Sequence, residues 1–284
     1  MGTSQSSNGS PSGVPMVPPW VPDIPLPALP PEASPESIPK VDEEQNTPHL
    51  TEPKQPIPIA PAGRFGNARR SLGEFAYSGD RDGMRRGMGR YIGGGYGGST
   101  TATRRFGGTA QTANALYSAL SAGSSNPYAS PGNQLDPVLL AGRSADAVLD
   151  AVVEAVRPVD GTQDTEASRA AIKEALSELL SRFPSVDMLN LEEQHRELAI
   201  ECYVSADVFR RFDLDLGKTI RDRAPSAVTG LARLKEVREY IRETIAASFR
   251  KLKEVGKKMA RGNITQIVQN ALRETFQVFE EYAE

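Results

Sequence analysis

From Ser144 to the end of the chain, apolar residues recur at steps of three and four, the spacing of an amphipathic helix. Ser144 stands as N-cap before Val148, Leu149, Val152, Val153 and Val156, and Pro158 closes that stripe. After the turn-rich Asp160-Gly161-Thr162, a second helix presents Ile172, Leu176, Leu179, Leu180 and Phe183 before Pro184. A third begins near Asn190 and carries Leu191, Leu198, Ala199, Cys202, Phe209 and Phe212. A long fourth, from about Ser226, shows Leu231, Leu234, Val237, Ile241, Ile245, Phe249, Leu252 and Val255. Gly262-Asn263 interrupts it before a last helix with Ile264, Ile267, Val268, Ala271, Leu272, Phe276 and Phe279. No persuasive period-two alternation occurs anywhere. The pattern predicts an all-α fold, with a helical bundle over residues 144–284.

The rhythm weakens upstream. Over residues 64–123, Arg, Gly and Tyr are laid over helical spacing. Leu72, Phe75 and Ala76 share a face, Asp80 caps a helix with Met84, Met88 and Ile92, and Ser99 or Thr100 caps another running through Phe106 towards Leu116 and Leu120. Internal glycines at 83, 87, 89, 107 and 108 each cost about 1 kcal/mol against Ala. Such helices are marginal alone: they pack closely on something or form on binding. Residues 124–143 read as a linker. Residues 1–63 hold 16 of the 22 prolines and cannot bury enough apolar surface to order themselves, so they read as a disordered tail with polyproline II bias.

Charge divides the chain in the same places. Residues 1–63 carry two basic and seven acidic side chains, residues 64–108 nine and three, and residues 109–284 22 and 26, so a basic middle lies between acidic ends. Residues 218–261 are locally basic, with 13 Lys or Arg against five acids, which gives the long helix a basic outer face. A single cysteine, Cys202, rules out an internal disulfide and fits a reducing compartment. No apolar run is long enough for a membrane span and no leader is evident, so a cytoplasmic protein without membrane attachment is expected. Two histidines and one cysteine are too few for a Cys/His zinc site, and no metal or cofactor is expected.

Several motifs imitate chemistry. Gly93, Gly95 and Gly98 satisfy the dinucleotide fingerprint literally, but no strand precedes them and no acid occurs between Asp82 and Asp136, so a flexible loop is the better reading. Gly217-Lys218-Thr219 ends like a phosphate-binding loop without its upstream glycine, and Gly217 is expected to interrupt a helix. His195 lies between Leu191 and Leu198 near Glu192, Glu193 and Glu197, where a half-buried structural histidine is expected; a cryptic enzyme would need His195 or Glu193. Cys202 reads as core, and no nucleophile elbow appears. The chain is therefore expected not to be an enzyme.

Two features remain as candidate sites. The pairs Arg69-Arg70, Arg85-Arg86 and Arg104-Arg105, with Tyr91, Tyr96 and Phe106 among glycines, have the residue types that bind phosphate and stack on bases. The same arginines would equally dock an acidic protein surface or this chain's own acidic tail. At the N-terminus, removal of Met1 leaves the open α-amine of Gly2, with a reference pKa of about 7.7–8.0 that keeps a useful neutral fraction. Gly2 to Ser6 also match the myristoylation pattern, but no basic patch accompanies them. Val14-Pro15-Met16-Val17-Pro18-Pro19-Trp20 is unusually apolar and holds the only tryptophan, either an anchor for a partner's groove or a solvated linker.

Met1-Gly2-Thr3-Ser4, Gly13-Val14-Pro15-Met16-Val17-Pro18-Pro19-Trp20, Arg69-Arg70-Ser71-Leu72-Gly73, the block from Gly79-Asp80-Arg81 to Gly97-Gly98-Ser99, and Arg104-Arg105-Phe106-Gly107-Gly108-Thr109-Ala110 together resemble the QatB family of the bacterial Qat anti-phage defence system. Asp136-Pro137-Val138 to Arg143, Arg157-Pro158-Val159-Asp160-Gly161-Thr162 and Leu231-Ala232-Arg233-Leu234-Lys235-Glu236-Val237 are similar as well. The resemblance implies partners: an ATPase (QatA), a QueC-like enzyme (QatC) and a TatD-like nuclease (QatD), with this family lacking a recognisable catalytic domain. Joined to the open α-amine of Gly2, it leads to the expectation of an adaptor whose Gly2 is modified with a deazaguanine-type base by the QueC-like partner. Gly2, Thr3 and Ser4 would enter that enzyme, and Pro15, Val17, Pro18, Pro19 and Trp20 would dock outside it. The alternative is a nucleic-acid-binding sensor subunit working through Arg69, Arg70, Arg85, Arg86, Arg104 and Arg105.

Overall fold

The computed structural model describes residues 63–121, 126–188 and 190–283, and these are helical with no strand among them. Helices α1 (Gly66–Ser78) and α2 (Arg81–Arg90) are followed by a π-helical turn at Tyr91–Gly95, then α3 (Ser99–Arg105) and α4 (Gly107–Ala119). A short α5 (Pro137–Leu140) sits inside the stretch expected as a linker, with the Asp136 side chain accepting the Val138 N–H at 2.9 Å. Then come α6 (Ala145–Val156), α7 (Gln163–Arg182), α8 (Glu193–Phe212), a second π-helical turn at Asp213–Gly217, α9 (Lys218–Arg223), α10 (Ala227–Glu254) and α11 (Ile264–Glu280).

Local side chains cap the starts of several of these helices. Asp80 accepts the N–H groups of Asp82 and Gly83 at 3.0 and 2.9 Å, Ser144 that of Ala147 at 3.2 Å, and Ser226 that of Thr229 at 3.1 Å. Each satisfies donors that the first helical turn cannot bond internally, an effect of about 1 kcal/mol per cap. The start of α3 differs from the expected Ser99 or Thr100 cap. Gly98, at φ +98°, takes the N-cap position, and the Ser99 N–H donates to Glu280 Oε2 at 2.9 Å from the far end of the chain. Phe106 also divides the expected single helix into α3 and α4, because its backbone leaves the helical region.

Helices from residues 64–123 and from 144–284 share one buried core. Phe65, Leu72, Phe75, Met88 and Tyr91 join Phe106, Leu116, Tyr203, Phe212, Phe276 and Phe279 in it. Helix α11 packs on α2, α3 and α4 as well as on α10, while α7 lies along α8 and α1 lies between α2 and α9. The glycines that weaken the early helices allow this approach. A Cβ on Gly89 would collide with the backbone of the C-terminal residues, 2.6 Å from the Tyr282 carbonyl carbon and 2.8 Å from the Ala283 Cα.

The long helix α10 departs from its expected stripe at both ends. Leu231 and Val255 stay exposed, whereas Leu234, Val237, Ile241, Ile245, Phe249 and Leu252 are buried. The neighbouring helices cover only the middle of its apolar face. Its basic outer face is largely neutralised across helices: Arg242 bonds Glu178 at 2.6 Å and Lys253 bonds Glu197 at 2.9 Å, with Arg238–Glu174 and Lys251–Glu274 completing the set.

Candidate functional site

The proline-rich stretch joins the helical body at Gly63-Arg64-Phe65. Gly63, at φ +64°, accepts the Gly66 N–H at 2.7 Å and turns the chain into α1. The Phe65 ring is buried against Gly95, where a Cβ would lie 2.5 Å from the ring, and faces Tyr91 and Tyr96 at centroid distances of 5.4 and 5.8 Å. The Arg64 guanidinium covers the outer side, 4.5 Å from the Phe65 ring and 5.5 Å from that of Tyr96. Beneath the rings, Tyr91 and Tyr96 donate their hydroxyls to Asp215 Oδ2 at 2.9 and 3.0 Å. Burial raises the Asp215 carboxyl above its ordinary range, and the two tyrosine hydrogen bonds oppose that rise. Burial likewise raises the hydroxyls of Tyr91 and Tyr96. The cluster is a mooring at the start of α1: Tyr91, Tyr96 and Asp215 are bonded to one another, while the buried Arg64 Nε has no hydrogen-bond partner among the described residues.

These placements correct three expectations. Tyr91, Tyr96 and Phe106 are buried in the core, so none of them offers a face to a base. The glycine-rich stretch expected as a flexible loop is instead a packed π-helical turn followed by the tight Gly97-Gly98 bend. Gly217, expected to interrupt a helix, keeps helical backbone at the end of the second π-helical turn and leads directly into α9, so the α-helix is widened there and not broken. That turn is what presents Asp215 to the tyrosines. Sequence reasoning missed Phe65 and Asp215, although an aromatic residue at the border of the proline-rich tail was a signal for the first.

A second buried carboxylate, Asp207, accepts the Thr109 hydroxyl at 2.6 Å and the Arg211 Nε–H at 3.3 Å, and its Oδ1 has no partner among the described residues. Burial would lower the Arg211 pKa, but Asp207 and Asp164 outweigh it and the net shift is upward. The site ties α4 to α8. His195 is half-buried, its ring 4.6 Å from that of Phe183 and tilted by 59°, and Cys202 is buried, its thiol pushed up to about 12 by desolvation.

The arginine pairs are dispersed. Arg85 bonds Asp82 at 3.1 Å and Arg86 bonds Asp80 at 3.3 Å, both within the first turns of α2. Arg105 lends its positive field to Tyr96 and Asp215 at the end of α3, where Arg104 also sits. Arg69 and Arg70 line a groove of about 720 Å3 between α1 and α9, together with Gly66, Gly73, Tyr77 and Arg223. Arg85 lines a different groove, of about 450 Å3, between α2 and the Glu236, Glu239 and Glu243 side of α10. The structure therefore does not bring the three pairs to one face. Gly2, Thr3, Ser4, Pro15, Val17, Pro18, Pro19 and Trp20 lie outside the described residues.

No helix of the described residues is long and apolar enough to cross a membrane, and no group of three or more His, Cys, Asp or Glu among them could hold a metal ion. No curated protein and no solved structure matches the chain significantly. The family described as Qat anti-phage system associated protein QatB matches residues 97–279, from the Gly97-Gly98 bend through nearly all of α11. That span covers well over half of the chain and takes in α3, Asp207 and Asp215, so the chain belongs to the QatB family of the Qat anti-phage system.

Proposed function

We propose that this protein is a non-enzymatic, cytoplasmic component of the Qat system, an adaptor that is itself the substrate of the QueC-like partner. The observation that carries the reading is the mooring at Phe65. It joins a proline-rich stretch headed by Met1-Gly2-Thr3-Ser4 to a helical body of the QatB family. A tether fixed at one end lets a partner enzyme handle the other end without disturbing the core.

In the proposed reaction, ATP activates a carboxylated deazaguanine as its adenylate and pyrophosphate leaves. The neutral α-amine of Gly2 attacks the activated carbonyl, AMP departs, the amine proton goes to solvent, and an amide bond remains. Gly2 suits this because it lacks a side chain beside the nucleophile. Thr3 and Ser4 follow it into the enzyme, and the Pro15 to Trp20 segment docks outside, where proline lowers the entropy lost on binding. The ATPase and the TatD-like nuclease are the further partners of the modified chain.

The test is the intact and N-terminal peptide mass of the chain made with and without the QueC-like enzyme and ATP. A nucleobase-sized increase on Gly2, absent when one residue is inserted before it, is the expected result. An unmodified Gly2 beside active enzyme overturns the proposal.

A further inference from the structure

Helix α8, the second half of α10 and the turn between α10 and α11 border a cavity of about 420 Å3. Its floor is apolar: Phe249, Met259 and Ile267 are buried there, and the half-buried Leu198 forms one side. A folded turn brings Met259 into place. The chain reverses at Gly256, φ +79°, and at Gly262, φ +101°. Asn263 holds the segment between them, accepting the Ala260 N–H at 2.8 Å and donating to the Lys258 carbonyl at 3.0 Å. These bonds fix the wall that closes the cavity on that side.

Five charged side chains line the same cavity. Lys253 and Glu197 satisfy each other at 2.9 Å, which leaves Glu201 against Arg250 and Lys257. Burial raises the Glu201 carboxyl above its ordinary range, while Arg242, Arg182 and Arg250 oppose that rise, and the carboxyl makes no hydrogen bond among the described residues. Arg250 and Lys257 are exposed, and neither is in an ion pair among the described residues. An ionised carboxylate only accepts hydrogen bonds, so Glu201 calls for N–H or O–H donors inside the cavity. The floor calls for an apolar body, and the two cations call for an anion at the mouth.

We propose that this cavity binds a guanine nucleotide, with the base on the apolar floor beside Phe249, its N1–H and 2-amino group donating to Glu201, and its phosphate held by Arg250 and Lys257. Guanine places two donors side by side on one edge. Adenine places a donor beside an acceptor, which repels a carboxylate. The Phe249 ring and the Met259 thioether are surfaces that suit a heteroaromatic base. The volume falls within the range of about 300–1000 Å3 usual for small-molecule sites, room for one nucleoside monophosphate. Charge agrees as well, since two free cations match a phosphate monoester of about −1.5 to −2. Neither Gly93–Gly98 nor Gly217–Thr219 contributes a residue to the cavity. This inference does not depend on modification of Gly2.

The test is equilibrium dialysis of the full chain against radiolabelled GMP, AMP and guanosine. GMP should bind about tenfold more tightly than AMP, which lacks the donor pair, and about tenfold more tightly than guanosine, which lacks the phosphate. Glu201→Gln should remove the preference for GMP over AMP. A second variant changes exposed positions only: Arg250→Ala with Lys257→Ala should weaken GMP about tenfold and leave guanosine unchanged. Lys235→Ala, a cation in the groove beside α2, should alter neither. No GMP retained at about 1 mM overturns the proposal. Equal retention of GMP and AMP, displaced alike by inorganic phosphate, makes the mouth a site for any anion and overturns it. GMP binding untouched by both cavity variants places the nucleotide elsewhere and overturns it as well. So does displacement of GMP by a tenfold lower concentration of phenylalanine, which would assign the cavity to an amino acid.

Discussion

Glu280 accepts the Ser99 backbone N–H at 2.9 Å, so the last helix caps the first turn of α3. The carboxylate also meets the positive end of that helix, where a negative charge is favourable. Ser99 is buried, and its N–H has no water to fall back on.

Glu280→Ala should therefore cost about 1–2 kcal/mol of stability, while Glu280→Gln, which keeps an acceptor but not the charge, should cost about half as much. Urea denaturation of the two variants measures the difference. Equal losses would mean that the charge carries the whole effect and a neutral acceptor contributes nothing.

Gly89 presses on the Tyr282–Ala283 backbone. Gly89→Ala gains about 1 kcal/mol of helix propensity, yet the expected outcome is a net loss, because the displaced atoms are main chain. Truncation after Glu281 in the same variant should recover much of that loss. A Gly89→Ala protein more stable than the parent would show that the C-terminal residues yield freely.

Asp215 provides a pH signature. Its folded pKa is raised by burial above the unfolded value of about 3.9, so its favourable contribution is present below about pH 4 and fades as pH rises through the folded value. In Asp215→Asn that fading is absent. The Tm difference, variant minus parent, should grow from pH 4 towards neutrality. The opposite slope would mean that Arg64 and Arg105 hold the carboxylate as an anion.

Cys202 should be inert in the native protein. With its thiol at about 12, the thiolate is a minute fraction at pH 8, and the side chain is buried as well. Reaction with a chromogenic disulfide should be slow in buffer and immediate in guanidinium. Rapid native labelling would place Cys202 on an accessible surface.

The caps and stripes were legible because they are local. Ser144, Asp80 and Ser226 each announce a helix through bonds to residues two or three positions away, and the helices begin where those residues stand. The arginine pairs were legible as residues but not as a site. Whether Arg86 meets Asp80 or a ligand, and whether Arg70 shares a groove with Arg223, depends on which helices become neighbours. Tyr91 and Tyr96 misled for the same reason: among glycines they look exposed, yet the glycines are what let α1 and the C-terminal residues close over them.

By itself the sequence determined the all-helical class, the helix starts at Asp80, Ser144 and Ser226 and the division of charge, since these follow from spacing and from contacts within one turn. The tertiary structure alone decided that Asp215 lies beneath Tyr91 and Tyr96, that Glu280 reaches Ser99, and that the middle of the α10 stripe is buried while Leu231 and Val255 are not. Periodicity states which face of a helix is apolar. It carries no record of what will be packed against that face, because burial and pairing arise between residues far apart in the chain.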